Sequence, residues 1–297
     1  MTMIQTRDGT NLRVKTLGRG RPVVLIHGWP LSADSWDPVM IALAESGYRA
    51  IAYDRRGFGR SDHAATGYDY DTFADDLADV MAATDATDDV ALVGFSMGGG
   101  EIARYMSRHG GKGVSQAVLV SSVVPFMLRT EDNPKGVPAK VFEDMTEGMK
   151  NDFRKFFPTF FKQFYGVGLL SHPVSDEELH WAWGQAMQAS QYATLQSAAA
   201  FAYTDFRPDL PHLTVPTLVI HGTADATVPM EGTGREVARL VPTADLVEYE
   251  GEPHGVFATQ TERLSSDIIT FLSGGQIEAR QGMLDAMTAD TLAVGQL

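Results

Sequence analysis

Eleven residues constrain this chain more than any other part of it. Residues 90–100 read Val-Ala-Leu-Val-Gly-Phe-Ser-Met-Gly-Gly-Gly: a short apolar run, then Gly94-Phe95-Ser96-Met97-Gly98, then a segment of helical character opening at Glu101. Gly-x-Ser-x-Gly between a strand and a helix is the pattern of a sharp, strained turn that lifts the serine oxygen clear of the backbone. The flanking glycines leave room for strand and helix to close around it. Glycine is abundant here, at 29 residues, so the pattern acquires meaning only from its context.

That context is an alternation of strands and helices, which predicts a mainly parallel sheet covered on both faces. Val23-Val24-Leu25-Ile26 reads as a buried strand ending at His27-Gly28-Trp29-Pro30. A helix from about Trp36 to Ser46 follows, then a strand Tyr48–Tyr53 and the polar turn Asp54–Ser61. Phe73, Leu77, Val80 and Met81 recur at helical spacing, with Asp75, Asp76 and Asp79 read as the solvated face. The strand before Ser96, a helix Glu101–Ser107 and a strand Ala117–Val120 complete the first half. Between Phe126 and Phe206 the rhythm stops: 15 of the 28 aromatic residues fall there, and Pro134, Pro138, Pro158 and Pro173 divide the segment into short helices. Strand character resumes at Thr214–Gly222 and Leu246–Tyr249, and Leu264, Ile268, Ile269 and Leu272 mark a final amphipathic helix. The expected division is therefore a core of residues 1–122 and 207–273, a helical cap of residues 123–206, and a tail of residues 274–297 that reads as a weak helix or an unstructured segment.

Composition narrows the function classes. With no cysteine, disulfides, thiol nucleophiles and thiolate metal sites are excluded. A net charge of −14 argues against a nucleic-acid partner, which needs clustered Lys and Arg. Met1–Gly20 is charged and has no long apolar run, so neither a secretory signal nor a membrane span is expected there, and the default location is the cytoplasm.

A serine oxygen becomes a useful nucleophile when a base accepts its proton and an acid orients that base. Of the eight histidines, His254 is the best-placed base, in the tight loop Gly251-Glu252-Pro253-His254-Gly255 after the last strand. His27 and His221 end strands and are expected to pack or bond locally; His63, His109, His172, His180 and His212 fall in loops or exposed helical positions. Asp225 lies just past the strand ending at Gly222, at the edge where ligands of parallel sheets gather. It could equally cap a helix starting near Val228. The order Ser96, Asp225, His254 is that of one fold class. An oxyanion needs two donors, for which the backbone N–H groups of Met97 and Trp29 are candidates. Pro30 restricts the residue before it and so the Trp29 carbonyl, or it merely stiffens a turn.

Together, His27-Gly28-Trp29-Pro30, the turn Tyr53–Ser61, Gly94–Glu101, Asp132-Asn133-Pro134 and Gly251–Gly255 resemble the α/β-hydrolases known as cofactor-free haloperoxidases and their arylesterase relatives, over residues 1–272. The resemblance implies an eight-stranded, mostly parallel sheet with helices on both faces and an inserted helical cap. It also implies the triad Ser96, Asp225 and His254, the oxyanion donors Trp29 and Met97, no metal or other cofactor, and a homo-oligomer, a trimer or a multiple of one. Members hydrolyse small esters and also perform perhydrolysis, in which hydrogen peroxide replaces water and the resulting peracid oxidises halide. The Trp29-Pro30 pair is similar to the version found in the peroxidase-named members.

The expected function is thus a serine esterase acting on small acyl or aryl esters, with water or hydrogen peroxide as acceptor. Trp29, Pro30, Phe126, Phe161 and Val228 are the expected substrate-binding residues. Lactam or carbon–carbon bond hydrolysis with the same triad, or a catalytically silent binding protein on this fold, are the alternatives.

Overall fold

The computed structural model describes residues 2–275; the expectation for residues 276–297 lies outside them. Eight strands run β1 Thr2–Gln5, β2 Asn11–Gly18, β3 Pro22–Ile26, β4 Arg49–Tyr53, β5 Val90–Phe95, β6 Val114–Val120, β7 Thr217–Gly222 and β8 Ala244–Tyr249. The helices are α1 Asp37–Glu45, α2 Tyr70–Ala83, α3 Met97–Arg108, α4 Ala139–Asn151, α5 Phe153–Phe164, α6 Asp176–Gln188, α7 Gln191–Tyr203, α8 Gly234–Leu240, α9 Val256–Thr259 and α10 Thr261–Leu272. The strands form one sheet in the order β1-β2-β4-β3-β5-β6-β7-β8. Pairs β1·β2 and β2·β4 are antiparallel, and every other pair is parallel.

The parallel strands β3, β5 and β7 are buried along their whole length, which is why they read as continuous apolar runs. The direction of sheet growth reverses at β3: the chain leaves it for β4 on one side and returns to β5 on the other. Loops leaving the C-terminal ends of β3 and β5 diverge there and open a crevice. The segments after those two strands are the Trp29 loop and the Ser96 turn. Helices α4–α7 enter between β6 and β7 and cover this edge as a helical cap, whose Phe157, Phe160 and Phe201 rings meet the Trp29 indole at centroid distances of 5.6, 5.3 and 5.6 Å. No helix among the described residues is long and apolar enough to cross a membrane.

Several expectations need correction. The helix after the serine begins at Met97, not Glu101, so Gly98, Gly99 and Gly100 form its first turn. Glycine is a poor helix former, but tertiary packing overrides propensity here: a Cβ at Gly98 would lie 2.5 Å from the Ile26 carbonyl oxygen, and one at Gly100 would lie 2.5 Å from the Phe206 and Tyr70 rings. No helix starts near Val228; a single turn at Met230–Gly232 precedes α8. Strand β2 carries Arg13 and Lys15, charges that hide it in the sequence. Arg13 reaches Asp34 at 2.8 Å and Asp54 at 3.3 Å, while Leu12 and Val14 are buried.

Asp76 is not solvated either: it is buried on α2, where both its oxygens accept from the buried Arg56 guanidinium at 2.6 and 2.7 Å. Asp75 and Asp79 do face outward, paired with Arg108, His109 and Arg7. A second buried charge pair lies deeper. Arg55 donates to Glu101 on α3, and Tyr53 Oη donates to the other Glu101 oxygen at 2.5 Å. Burial pushes the Glu101 carboxyl above its ordinary range against the opposing pull of Arg55 and Tyr53. Arg55 also donates to the His27 carbonyl at 2.8 Å, and its backbone N–H to His27 Nε2 at 3.0 Å. This network fixes the end of β3. Removing one partner of a buried ion pair leaves the other uncompensated, so Glu101→Ala should cost about 3–5 kcal/mol, measured as a lowered urea midpoint at unchanged slope.

Candidate active site

The turn after β5 puts Ser96 at φ 54°, ψ −117°, a left-handed region that non-glycine residues seldom occupy. It is held by its surroundings. Ser96 N–H donates to the Val120 carbonyl at 2.8 Å, and the Ser96 carbonyl accepts from Gly99 N–H at 3.1 Å and Val123 N–H at 3.3 Å. A Cβ at Gly94 would lie 2.6 Å from the Gly98 carbonyl group, so strand and helix can approach this closely only with glycine there.

The structure brings Ser96, His254 and Asp225 into one line of hydrogen bonds. His254 Nε2 lies 3.0 Å from Ser96 Oγ, and His254 Nδ1 lies 2.6 Å from Asp225 Oδ2. The carboxylate accepts the Nδ1 proton, which leaves Nε2 as the acceptor facing the serine. Phe95 and Phe164 pack on the imidazole at centroid distances of 4.9 and 4.8 Å and fix its plane. Asp225 orients the histidine and caps no helix: Oδ2 faces His254, while Oδ1 accepts from the N–H groups of Thr227 at 2.9 Å and Val228 at 2.7 Å and folds the loop.

His221 does bond locally, and also reaches this acid. Its Nε2 lies 2.9 Å from the Val228 carbonyl and 3.2 Å from Asp225 Oδ2. Burial alone would raise the Asp225 carboxyl, but attraction to His254 and hydrogen bonds from His221 and His254 outweigh it and hold it well below the ordinary carboxylate range. His27 is kept neutral, its imidazole lowered far below the usual value by burial and by Arg55. Neither the Trp29 nor the Met97 backbone N–H donates to any protein acceptor among the described residues. Both stand at the ends of segments that flank Ser96.

A cavity of about 360 Å³ opens onto Ser96 and His254. Trp29 and Val228 line it, as do Val123, Met127, Phe142, Phe156, Phe160 and Phe201. Pro30, Phe126 and Phe161 do not. Pro30 is buried, and the Phe126 ring lies against the Arg207 guanidinium at 5.1 Å. Phe161 belongs to the inner stripe of α5, Phe153, Phe157, Phe161 and Phe164, all buried in the core. The adjacent stripe, Phe156, Phe160 and Gln163, faces the cavity instead. Its spacing of four and three residues was the available signal.

A family model described as alpha/beta hydrolase fold matches residues 21–261. A non-heme chloroperoxidase of Kitasatospora aureofaciens is 41% identical over 275 residues, which is 92% of this chain and all of that protein. A bifunctional esterase/perhydrolase of Acinetobacter calcoaceticus is 39% identical across 92% of this chain and 99% of its own length. Among solved structures, a bromoperoxidase from Bacillus anthracis superposes with a TM-score of 0.88 at 40% identity, covering 92% of this chain and 99% of that one.

The depressed Asp225 carboxyl implies a signed pH effect. A group whose folded value lies below its unfolded value stabilises the fold above the unfolded value, and that contribution is lost as pH falls through the folded one. Asp225→Asn should therefore destabilise the protein at neutral pH, and the gap to the parent should narrow as pH drops below about 4, measured by urea midpoints across that range.

Proposed function

We propose that this chain, which belongs to the α/β-hydrolase-fold family and within it to the group of non-heme haloperoxidases and esterases, is a serine esterase for small acyl or aryl esters that also accepts hydrogen peroxide. The observation that carries the proposal is the continuous line Ser96 Oγ, His254 Nε2, His254 Nδ1, Asp225 Oδ2, at 3.0 and 2.6 Å, opening onto an apolar cavity.

In this reading Ser96 Oγ attacks the ester carbonyl while His254 Nε2 takes its proton. Asp225 holds the resulting imidazolium. The carbonyl oxygen, now an oxyanion, accepts from the free N–H groups of Met97 and Trp29. His254 returns the proton to the departing alcohol or phenol and leaves an acyl-serine. Water attacks that acyl group to give the acid, or hydrogen peroxide attacks it to give a peracid, and either way His254 shuttles the proton back to Ser96. The peracid transfers one oxygen to halide and becomes the carboxylate. The aromatic lining supports acyl groups that are short and uncharged. A cap of residues 123–206, a homo-oligomeric state and a cytoplasmic location belong to the same proposal; sedimentation of the purified protein checks the second.

Ser96→Ala should reduce 4-nitrophenyl acetate turnover by at least about a thousandfold and abolish labelling by a fluorophosphonate probe; retained turnover would overturn the reading. Pro30→Leu relaxes the constraint on the residue that carries the Trp29 donor. It should lower the ratio of peracid formation to ester hydrolysis, measured side by side with and without hydrogen peroxide.

A further inference from the structure

The segment that carries the Trp29 N–H is held from both sides. On the core side, Ala33 N–H donates to Asp54 Oδ1 at 2.8 Å, and Leu31 N–H to the Gly28 carbonyl at 3.0 Å. The remaining anchors come from the cap. Trp29 Nε1 donates to the Thr194 carbonyl on α7 at 2.9 Å. Gln185, buried on α6, presents one oxygen to two donors of Ser32: the backbone N–H at 3.0 Å and Oγ–H at 2.8 Å. Ser32 is three residues past Trp29, and it is itself the cap of the turn Ala33–Trp36, its hydroxyl oxygen accepting from Asp34 N–H at 3.3 Å. A side chain 153 residues away thus closes the loop that positions the donor.

We propose that Gln185 is a positioning residue for the oxyanion site, coupling the seating of the cap to the placement of the Trp29 N–H. The inference rests on the acyl-serine reading above. A glutamine is suited to this task because its amide oxygen can accept two hydrogen bonds while remaining uncharged in a buried site. Replacing it by an apolar group leaves two buried Ser32 donors without a partner, and the Ser32 end of the loop is then free to turn away. A displacement well under the length of a hydrogen bond is enough to weaken an oxyanion donor, because the donor acts on charge that develops only in the transition state. The cap is also joined to the base: Gly255 N–H donates to the Phe164 carbonyl at the end of α5 at 3.0 Å. Cap seating therefore bears on both sides of the serine, with Gln185 as its handle on the oxyanion side.

The test compares Gln185→Leu, Gln185→Glu and Ser32→Ala with the parent, each checked for an intact thermal transition. With 4-nitrophenyl acetate, Gln185→Leu should lower kcat about tenfold and leave KM within about twofold. Inhibition by a trifluoromethyl ketone, to whose carbonyl Ser96 Oγ adds as its proton passes to His254 and an oxyanion forms, should weaken by the same factor. Gln185→Glu keeps an acceptor oxygen but introduces an ionisable group into the buried site, so it should recover part of kcat and inhibition. Ser32→Ala removes one of the two donors and should lie between; it carries the test if Gln185→Leu does not fold. Unchanged kcat in Gln185→Leu and Ser32→Ala, a loss confined to KM, or an equal loss in Gln185→Glu would each overturn the coupling. The outcomes are separable from failure of the underlying reading, since Ser96→Ala with full turnover would overturn that reading, whereas an inactive Ser96→Ala beside an unaffected Gln185→Leu overturns only the role of Gln185.

Discussion

The rest of the structure depends on one strained residue. Ser96 sits at φ 54°, a conformation that costs on the order of 1–3 kcal/mol and persists only where its surroundings over-determine it. The surroundings are the end of β6, Val123 just beyond it and the first turn of α3, joined to the Ser96 backbone by three hydrogen bonds. Because α3 must start immediately after the strand, its first turn lies against Ile26 of β3, Ser122 after β6, and Phe206 after α7. Only glycine fits at 98, 99 and 100 under those contacts. The strain thus fixes the spacing of the central strands, and their spacing fixes the strain.

Around this turn the fold buries a cluster of polar groups. Arg55, Glu101, Tyr53, His27 and Asp54 are inaccessible and cluster at the C-terminal ends of β3 and β4. Burial raises the carboxyls of Glu101 and Asp54 despite their partners, so the cluster is held at some electrostatic expense. What it secures is geometry. Arg55 ties the His27 backbone and side chain to α3, and Asp54 accepts from Ala33 N–H and from Arg60 N–H at 2.8 Å each, so the loop after β3 and the turn after β4 share a single carboxylate. The proposed oxyanion donor Trp29 stands on that loop.

This division explains what could be read from the sequence. The Ser96 turn and Asp225 were legible because each follows a buried strand, and His254 because it sits in a tight loop just past β8, whose end converges with theirs on one edge of the parallel sheet. The apolar parallel strands were legible for the same reason that they are buried. Strand β2 was not, because Arg13 and Lys15 interrupt its apolar pattern and their partners, Asp34, Asp37 and Asp54, are remote in sequence, and β1 is four residues with a single buried one. Asp76 was misread because only the position of Arg56 makes its burial tolerable. In the cap the aromatic content was plain, but which ring faces the cavity turns on a rotation of about 100° per residue along α5, and Phe160 and Phe161 exchange roles across one such step. Gln185 carries no local signal, since its function arises from a loop in another part of the chain.

The cap also bears on the choice between acceptors. The cavity is mostly apolar, with Lys155, Thr159, Gln163 and Thr227 as its polar side chains beside Ser96 and His254, and His254 serves either acceptor as the base. Discrimination must then come from groups within reach of the acyl carbonyl, where the second oxygen of peroxide has to fit. The Trp29 segment borders that position, and it is held by Pro30 within the chain, by Thr194 and Gln185 from the cap and by Asp54 from the core. Restricting this segment from three directions fixes where its carbonyl and N–H point. On the proposed reading, the partition between hydrolysis and perhydrolysis is therefore set by the rigidity of a loop rather than by any single group that binds peroxide.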